Sequence, residues 1–382
     1  MLKRLLSNKE VNALSSHHAL FMAADSILGF FGGVFFLRMG MPAWAVIMLW
    51  GSWLVIRVPF RFLIIPFWHR MTPKNWLKIG VCIIALSFMT LIRVQEDHRM
   101  IPLFFILLSM GEAIYWTSYH YLFSFCSQHE FQGTQLSLKN IAVITTTAIM
   151  PGIIGWLGET VSLGWSFFGS TLLMLLSFFP LRFIRMERGT KPIGWRGLNS
   201  HAWFGAKSFL TRSTYNYATG FVWGLIIYLF IGDISDFGMV LSIGLLMQGM
   251  LYLITGNLFD RGHGRRMLET GAGITVLQTV TQAGFIYTPL GAVLTNAVGG
   301  VRDPLLFQTG DALYYQEARR SNDRFWYHFL GEMGWDLGAG LALFLGGLLV
   351  FLGLGLRWLM ILGIAGLLLH TWVNEQNMQD TQ

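Results

Sequence analysis

Charged residues and cysteines are scarce in this chain. Only 12% of its 382 residues are Asp, Glu, Lys or Arg, and its two cysteines, Cys82 and Cys126, both fall within apolar runs. Neither a disulfide framework nor a thiolate metal site is therefore expected. The motifs H-E-x-x-H, C-x-x-C and G-x-S-x-G and the Walker phosphate-binding loop are absent as well. These absences predict a protein that is not an enzyme and that binds no metal and no cofactor.

Long apolar runs fill most of the chain instead. Hydrophobic residues make up 54% of the sequence, and its mean hydropathy is +0.52. Runs of ~20 apolar residues match the length at which a helix crosses ~30 Å of hydrocarbon. Lipid offers the backbone no hydrogen bonds, so the spans must be helices or a closed barrel, and continuous runs exclude the barrel. The first run is too long to be a signal peptide, and it lacks a signal-peptide cleavage site.

The runs predict an all-α polytopic membrane protein with twelve transmembrane helices. We number the predicted spans 1 to 12; they cover residues 17–38, 43–66, 75–94, 100–126, 137–158, 161–184, 206–232, 236–258, 267–287, 289–316, 326–352 and 356–373. The longest polar stretch falls near the midpoint and leaves six spans on each side. We therefore predict an N-terminal six-helix bundle at 1–184, a cytoplasmic central loop at 185–205 and a C-terminal six-helix bundle at 206–382.

The formal net charge of +7 would suit a nucleic-acid partner if the basic residues were clustered without regard to the spans. Placed on the spans, about 19 of the 27 Lys and Arg residues fall on one side, 4 on the other and 4 within the spans. This asymmetry follows the positive-inside rule and puts both termini in the cytoplasm. The charge therefore predicts topology in a lipid bilayer, with no nucleic acid as partner. We expect a multi-pass protein of a bacterial inner (plasma) membrane, with a monomer favoured.

A weak internal repeat supports the division into halves. Gly111-Glu112 in span 4 matches Arg302-Asp303 in span 10 at an offset of 191 residues, and the end of span 2 at 67–70 matches the end of span 8 at 259–262 at an offset of 192. Two parallel six-helix halves imply a pseudo-two-fold axis along the membrane normal.

A basic loop after span 8 carries a family resemblance. Residues 256–266, G-N-L-F-D-R-G-H-G-R-R, resemble the loop motif G-x-L-x-D-R-x-G-R-R of the major facilitator superfamily, with one extra residue before the second glycine. The matching residues are Gly256, Asp260, Arg261, Gly264, Arg265 and Arg266. The resemblance implies two six-helix bundles around a central cavity lined by helices 1, 4, 7 and 10. It also implies that this loop takes part in conformational switching; the alternative is a plain positive-inside anchor.

Several charged residues lie inside the predicted spans, where a charge costs ~2.5–3.5 kcal/mol on insertion scales and marks pairing or function. Among them are Asp25, Arg57, Arg61, Glu112, Arg212, Arg302, Asp303, Glu332 and Asp336. The carboxylates among them, Asp25, Glu112, Asp303, Glu332 and Asp336, are the predicted proton-coupling residues. Asp25 has the alternative of a structural ion pair with Arg57 or Arg61. Glu332 and Asp336 share a helix face, so one is protonated, a cation lies between them, or they pair with Arg324.

Polar and aromatic residues recur at helical spacing in spans 4, 7 and 10, each on one face. They predict a substrate site made of Tyr115, Trp116, Tyr119, Arg212, Tyr215, Asn216, Trp223, Asn296 and Arg302. Aromatic faces bind apolar or cationic groups, and Arg binds carboxylate or phosphate. Arg302 and Asp303 are consecutive, so their side chains point about 100° apart around the helix axis. The two are therefore not expected to share all contacts. Glu112 and Asp303 either titrate or only neutralise Arg302 and Arg212.

These features favour a secondary active transporter that moves a small organic solute by alternating access. No ATP site is visible, so a gradient would drive transport, and buried carboxylates make protons the expected coupling ion. Two alternatives stay open. The first is a lipid or lysolipid translocase on the same fold, which would need an apolar wall and a lateral opening of the cavity. The second is a non-transporting scaffold or sensor. It would fit the loop after span 2 at 67–74, where the N-terminal copy of the loop motif has decayed.

Overall fold

A computed structural model describes residues 8–128, 131–186, 191–285 and 288–379. Over these residues all regular structure is helical. The predicted cytoplasmic basic residues Lys3, Arg4 and Arg188 lie outside the described residues, as does part of the predicted central loop.

The first half of the chain forms α1 to α6. They are α1 Lys9–Arg38, α2 Ala43–Ile64, α3 Pro73–Val94, α4 Ile101–Cys126, α5 in two parts, Gln132–Thr147 and Met150–Thr160, and α6 Leu163–Leu176. α1 begins well before predicted span 1 because the Asn8 side chain accepts a hydrogen bond from the Val11 amide at 3.1 Å and caps the helix. The polar residues at the start of predicted span 1, His17 and His18, are buried.

The second half forms α7 to α12. They are α7 His201–Tyr215, continued through a π-helical turn at Asn216–Phe221 into Val222–Ile231, α8 Ile234–Leu258, α9 Gly264–Phe285, α10 in two parts, Pro289–Gly299 and Gln308–Arg320, α11 Arg324–Phe351 and α12 Leu356–Gln379. A second π-helical turn, Asp303–Phe307, joins the parts of α10 and contains Pro304. Proline removes a backbone donor inside a helix, and such turns recur at functional sites.

Ten helical stretches among the described residues are long and apolar enough to cross a membrane. One of them, Ile234–Gly284, contains Gly262 at a φ of +86°, where α8 ends and the chain turns into α9. α10 is not among the ten, since its first part is short and its second part is polar. Helix length alone therefore leaves the twelve-span prediction as a prediction.

Apolar side chains cover much of the outer surface. Large residues such as Trp165, Leu277 and Leu352 are 62%, 69% and 71% exposed, whereas Arg57 and Arg61 are fully buried. A protein that exposes its apolar residues and buries its charges suits a hydrocarbon surrounding rather than water.

The helix packing repeats between the two halves. In the first half α1 packs on α5 and α6, α3 on α6, and α2 on α4; in the second half α7 packs on α11 and α12, α9 on α12, and α8 on α10. Each pair in one half has its counterpart six helices later. The halves meet where α2 packs on α11 and α5 packs on α8, and these two interfaces are counterparts as well.

Individual contacts recur at the predicted offset of 191 residues. A Cβ added to Gly80 of α3 would lie 2.8 Å from the Tyr115 amide nitrogen, and one added to Gly271 of α9 would lie 2.9 Å from the Leu306 amide nitrogen. Both members of the second pair follow those of the first by 191 positions. Close glycine contacts also join the halves: a Cβ on Gly51 would lie 2.8 Å from the Phe344 amide nitrogen. Small residues allow such close approach of helices in membranes.

Candidate functional site

A central cavity of about 600 Å³ lies between the two halves. As the family resemblance implied, α1, α4, α7 and α10 line it, and α2, α5, α8, α9 and α11 contribute as well. Its charged lining residues are Asp25, Arg57, Glu112, Lys139, Arg212, Arg302, Asp303, Asp311 and Glu332. The volume suits a small organic molecule.

Seven of the nine predicted substrate-binding residues line this cavity: Trp116, Tyr119, Arg212, Asn216, Trp223, Asn296 and Arg302. Tyr115 and Tyr215 do not. The Tyr115 hydroxyl lies 3.0 Å from Nδ1 of His18, and its ring stacks on Phe21 with centroids 3.8 Å apart. The Tyr215 hydroxyl lies 3.1 Å from the Thr279 hydroxyl. The predicted helix faces are wider than the cavity, so the residues at their edges pack between helices.

Arg57 of α2 joins the two halves through carboxylates on different helices. Its Nη1 lies 3.0 Å from the Glu112 carboxylate of α4, and its Nε lies 3.1 Å from the Asp336 carboxylate of α11. Glu332 of α11 lies farther away, with 4.0 Å between its carboxylate and Nη2. All four side chains are at least nine-tenths buried.

Arg61, one helical turn further along α2, is held by the same α11 carboxylates. Its Nε donates to Asp336 at 2.5 Å, its Nη2 donates to Glu332 at 2.9 Å, and its Nη1 donates to the Thr117 hydroxyl at 2.9 Å. Glu332 and Asp336 thus have a cation between them, which is one of the three arrangements that their spacing allowed. Arg324 instead stacks 4.1 Å from the Phe125 ring centroid.

His120 of α4 extends this buried network toward α10. Its Nε2 lies 3.2 Å from the Glu332 carboxylate, and its Nδ1 lies 2.5 Å from the Tyr315 hydroxyl. Since Glu332 also accepts from Arg61, the network continues from α2 through α11 and α4 to α10.

Asp25 does not form the ion pair that the sequence left open. Among the described residues, no cation lies within ion-pair distance of its carboxylate, and its buried Oδ1 has no hydrogen-bond partner. Arg57 and Arg61 face α4 and α11 instead of α1. Asp25 therefore lines the cavity with part of its hydrogen-bonding capacity unused.

Asp303 and Glu112 occupy corresponding places. Glu112 of α4 contacts Arg57 of α2, while Asp303 of α10 accepts from Nε2 of Gln248 of α8 at 2.7 Å. Both residues of the second pair follow those of the first by 191 positions, so the predicted repeat extends to the cavity wall. The repeat is unequal in chemistry, since an Arg in the first half corresponds to a Gln in the second.

Arg302 contacts Asp303 directly. Its Nε donates to the Asp303 carboxylate at 2.6 Å. Their other contacts differ, since Asp303 also accepts from Gln248, whereas the Arg302 guanidinium lies 5.3 Å from the Phe307 ring centroid. α10 is not a regular helix here: Pro289–Gly299 ends before Arg302, and the π-helical turn begins at Asp303. The long Arg302 side chain folds back to its neighbour.

Arg212 lies in the cavity and pairs with Asp311 of α10. Its guanidinium also lies 4.4 Å from the Phe307 ring centroid. The charge that neutralises Arg212 is therefore Asp311, rather than Glu112 or Asp303. The sequence pattern did not single out Asp311, because it lies in the polar second part of α10 and outside the stripe that defined the predicted face.

Lys139 of α5 is another cavity residue that the sequence pattern did not single out. It lies near the start of predicted span 5. Its side chain lies inside the protein, 7% exposed, with Nζ 5.7 Å from the Phe123 ring centroid. The spacing offered a signal, since the polar residues Gln135 and Lys139 lie one helical turn apart. In the structure both side chains are buried.

The basic loop after α8 contacts the start of α5. The Asp260 carboxylate accepts hydrogen bonds from the amides of Gly133 at 2.8 Å and Thr134 at 2.9 Å, and also from the Thr134 hydroxyl. A carboxylate at a helix N-terminus satisfies free amides and opposes the helix dipole. Gly256 makes this approach possible, since a Cβ there would lie 2.8 Å from the Gly133 carbonyl oxygen.

The remaining residues of the loop motif are peripheral to this contact. Gly262, with its φ of +86°, makes the reversal, whereas Gly264 has a helical φ of −53° and begins α9. Arg261 donates to Asn257 at 3.1 Å and Arg265 donates to Glu269 at 2.8 Å, both at the surface. Arg266 is exposed.

Replacing Asp260 by Asn is expected to slow transport several-fold without preventing membrane insertion, and Arg261→Ala is expected to act in the same direction more weakly. The amide loses the charge that holds α8 against the α5 N-terminus, an interaction of about 0.5–2 kcal/mol for a helix cap. Turnover in proteoliposomes measures the effect, and Glu269→Gln, which removes an exposed carboxylate of the same loop region, is the control. Unchanged turnover with altered solute affinity would contradict a conformational role.

No protein-family model and no curated protein sequence matches this chain. Solved structures do. The Escherichia coli fucose:proton symporter shares 11% identity with a TM-score of 0.67, covering 96% of this chain and 98% of its own. The human organic anion transporter MFSD10 shares 9% identity with a TM-score of 0.68, covering 96% and 99%. A bacterial homologue of the iron transporter ferroportin, in an outward-facing state, shares 16% identity with a TM-score of 0.67, covering 97% and 99%.

At such low identities the likeness concerns the fold. It extends over nearly the whole chain, and the matched proteins named above are transporters. Together with the apolar helices it identifies a multi-pass integral membrane protein. The resemblance predicted from the loop at 256–266 is confirmed: the chain has the fold of the major facilitator superfamily transporters.

Proposed function

We propose that this protein is a secondary active transporter that moves a small organic solute by alternating access, with protons as the coupling ion. The observation that carries the proposal is the charged central cavity, whose walls come from both halves of the chain. A cavity between two bundles can open to either side when the bundles rock against each other.

The proposed architecture has twelve spans, with bundles at 1–184 and 206–382 and the loop 185–205 between them. The packing pairs that recur six helices apart support this count. The turn at Gly262 separates α8 from α9, and the polar second part of α10 is mostly buried within the protein, which supports a polar helix serving as a span.

Cysteine labelling tests the proposed topology. In a variant without Cys82 and Cys126, a cysteine at position 96 is expected to react with an impermeant maleimide added outside the cell, and a cysteine at position 195 is expected to react only after the membrane is permeabilised. The side chains of Glu96 and Trp195 are both exposed. The expectation rests on the excess of Lys and Arg on the side of residue 195. External labelling at 195 would overturn the orientation.

Contacts on both sides of the cavity fit a protein that alternates between states. At the end of the cavity lined by Gly33 of α1, the ring of Trp50 stacks on Phe221 with centroids 5.3 Å apart, which joins α2 to α7. On the opposite side, Gln308 of α10 donates to the Ser137 hydroxyl of α5 at 2.5 Å, close to the Asp260 contact. Opening the cavity to one side requires breaking only the contacts on that side. A state open to one side therefore keeps the contacts of the other side, and the two open states compete for the same protein.

The buried network gives protons a place to act. Arg57 and Arg61 face Glu112, Glu332 and Asp336, so with every carboxylate ionised the network has one negative charge in excess. One proton, on a carboxylate or on His120, would neutralise it. Since a net buried charge is costly, binding of a proton and a change in helix packing are linked in free energy.

Transport by purified protein in liposomes tests the proposal. The vesicles contain a pH-sensitive dye, and a panel of small organic acids, sugars and amines is added outside one compound at a time. A coupled solute is expected to change the internal pH and to accumulate when an acidic outside is imposed. Protein-free vesicles are the control. If no compound changes the internal pH or accumulates above the control, the transporter assignment is contradicted in favour of a scaffold or sensor.

A further inference from the structure

Lys139 is a buried cation without a counter-charge of its own. The side chain is nine-tenths buried and lines the central cavity. Among the described residues, no carboxylate lies within ion-pair distance of its Nζ, which lies 5.7 Å from the Phe123 ring centroid. Keeping an unpaired ammonium at this depth is unfavourable unless a ligand completes the site.

Arg212 offers a second incomplete donor on the facing helix. It pairs with Asp311 through Nη1, but its buried Nε has no hydrogen-bond partner in the described part of the chain. Arg212 and Lys139 lie within electrostatic range of each other and of Asp311. His18 of α1 also lies within electrostatic range of Lys139, and His120 of α4 lines the same cavity.

The charges in this part of the cavity do not cancel. Lys139 and Arg212 supply two positive charges against the single negative charge of Asp311. The network around Arg57 and Arg61, by contrast, holds more carboxylates than guanidinium groups. The cavity is therefore polarised, with its positive end between α5, α7 and α10.

We propose that Lys139 and Arg212 form a subsite for the anionic group, a carboxylate or phosphate, of a small organic solute. Lys139 belongs to α5 and Arg212 to α7, so an anion bound by both would bridge the two halves of the protein. The Trp335 ring lies 5.7 Å from the Arg212 guanidinium and 5.6 Å from the Phe209 ring, and both rings line the cavity. These rings would contact an apolar body attached to the anion. This inference deepens the proposed transport function and rests on it only for the fate of the bound solute.

Quenching of tryptophan fluorescence by three matched probes tests the subsite on the purified full-length protein. The probes are 4-nitrobenzoate, its neutral analogue 4-nitrobenzamide and the cation 4-nitrobenzylamine, which share one aromatic body. We expect 4-nitrobenzoate to bind about tenfold more tightly than the amide, since tenfold corresponds to about 1.4 kcal/mol, the scale of one charge-assisted contact. Equal binding of the anion and the amide, or no saturable quenching by the anion, would overturn the proposal.

Variants locate the effect. Lys139→Gln is expected to abolish the preference for the anion while leaving the amide unaffected, Lys139→Arg is expected to retain it, and Asp311→Asn is expected to increase it by removing the internal competitor. Lys207→Gln, which removes an exposed lysine of α7, is the matched control and should change nothing. Because Lys139 is unpaired, Lys139→Gln should not lower the thermal unfolding temperature. Retention of the preference in Lys139→Gln would refute the assignment.

Two further measurements separate this inference from neighbouring ones. Displacement of 4-nitrobenzoate by sn-glycerol 3-phosphate indicates a soluble anion, whereas displacement only by lysophosphatidylglycerol indicates a lipid headgroup with the same phosphate chemistry. Displacement by neither overturns the phosphate part of the proposal and restricts the subsite to carboxylates. Vesicle transport is measured independently. Anion binding without transport would retain the subsite and overturn the transporter, and transport without a preference for anions would do the reverse.

Discussion

Replacing Arg61 by Gln is expected to abolish most of the folded yield of the protein. Its guanidinium is fully buried and holds Asp336 at 2.5 Å and Glu332 at 2.9 Å. Without it, Arg57 alone would face three carboxylates inside the membrane. Removing one partner of a buried pair costs about 3–5 kcal/mol, because the other charge stays buried without compensation. That is a large part of the net stability of a typical folded protein.

A double variant distinguishes charge from packing as the cause. Arg61→Gln combined with Asp336→Asn removes one charge of each sign, so it should recover much of the yield that Arg61→Gln loses. Yield and thermal unfolding are measured by fluorescence-detected size exclusion in detergent. If the double variant is no more stable than Arg61→Gln alone, loss of side-chain volume between α2 and α11, rather than the unpaired charge, explains the defect.

Asp25→Asn is expected to keep the protein folded and capable of solute exchange but to abolish accumulation driven by a proton gradient. The Asp25 carboxylate lines the cavity and is not engaged in an ion pair among the described residues, so an amide leaves no cation unpaired. An amide resembles the carboxylate in shape but cannot bind and release a proton. Accumulation in proteoliposomes is expected to fall at least tenfold, to the level set by exchange alone, which is about 1.4 kcal/mol or more of lost coupling.

Glu112→Gln and Asp303→Asn extend the same experiment to paired carboxylates. Glu112→Gln leaves Arg57 with Asp336 at 3.1 Å, so folding should survive while coupling is lost. Asp303→Asn removes the partner of Arg302, so it should lower the folded yield as well. If all three amide variants accumulate solute like the parent, these carboxylates are not the proton sites. If they lose exchange and accumulation together, the carboxylates serve binding or structure rather than coupling.

The sequence predicted the cavity better than it predicted the contacts inside it. Helical spacing placed Glu112, Trp116 and Tyr119 on one face of α4, and all three line the cavity. The same spacing placed Tyr115 beside them, but Tyr115 packs against α1. Periodicity defines a face of a helix, whereas the width of the cavity depends on how far the neighbouring helices cover that face.

The properties that could be predicted from the sequence alone are those that depend on each residue and its near neighbours. The apolar runs predicted membrane helices, because each residue of a span must be apolar enough for hydrocarbon and each backbone group must be hydrogen-bonded within the helix. The repeat at 191 residues and the loop at 256–266 were enough to indicate the fold.

Only the tertiary structure decided which charges meet. Arg61 and Asp336 are 275 positions apart and belong to different halves, and nothing in their local sequence distinguishes this pairing from the alternative with Asp25. Lys139 lies near the start of predicted span 5, and the packing of α5 places its side chain at the cavity. The physical reason is that an ion pair acts over a few ångströms between specific atoms, so it depends on which helix faces are brought together, and local hydropathy carries no information about that.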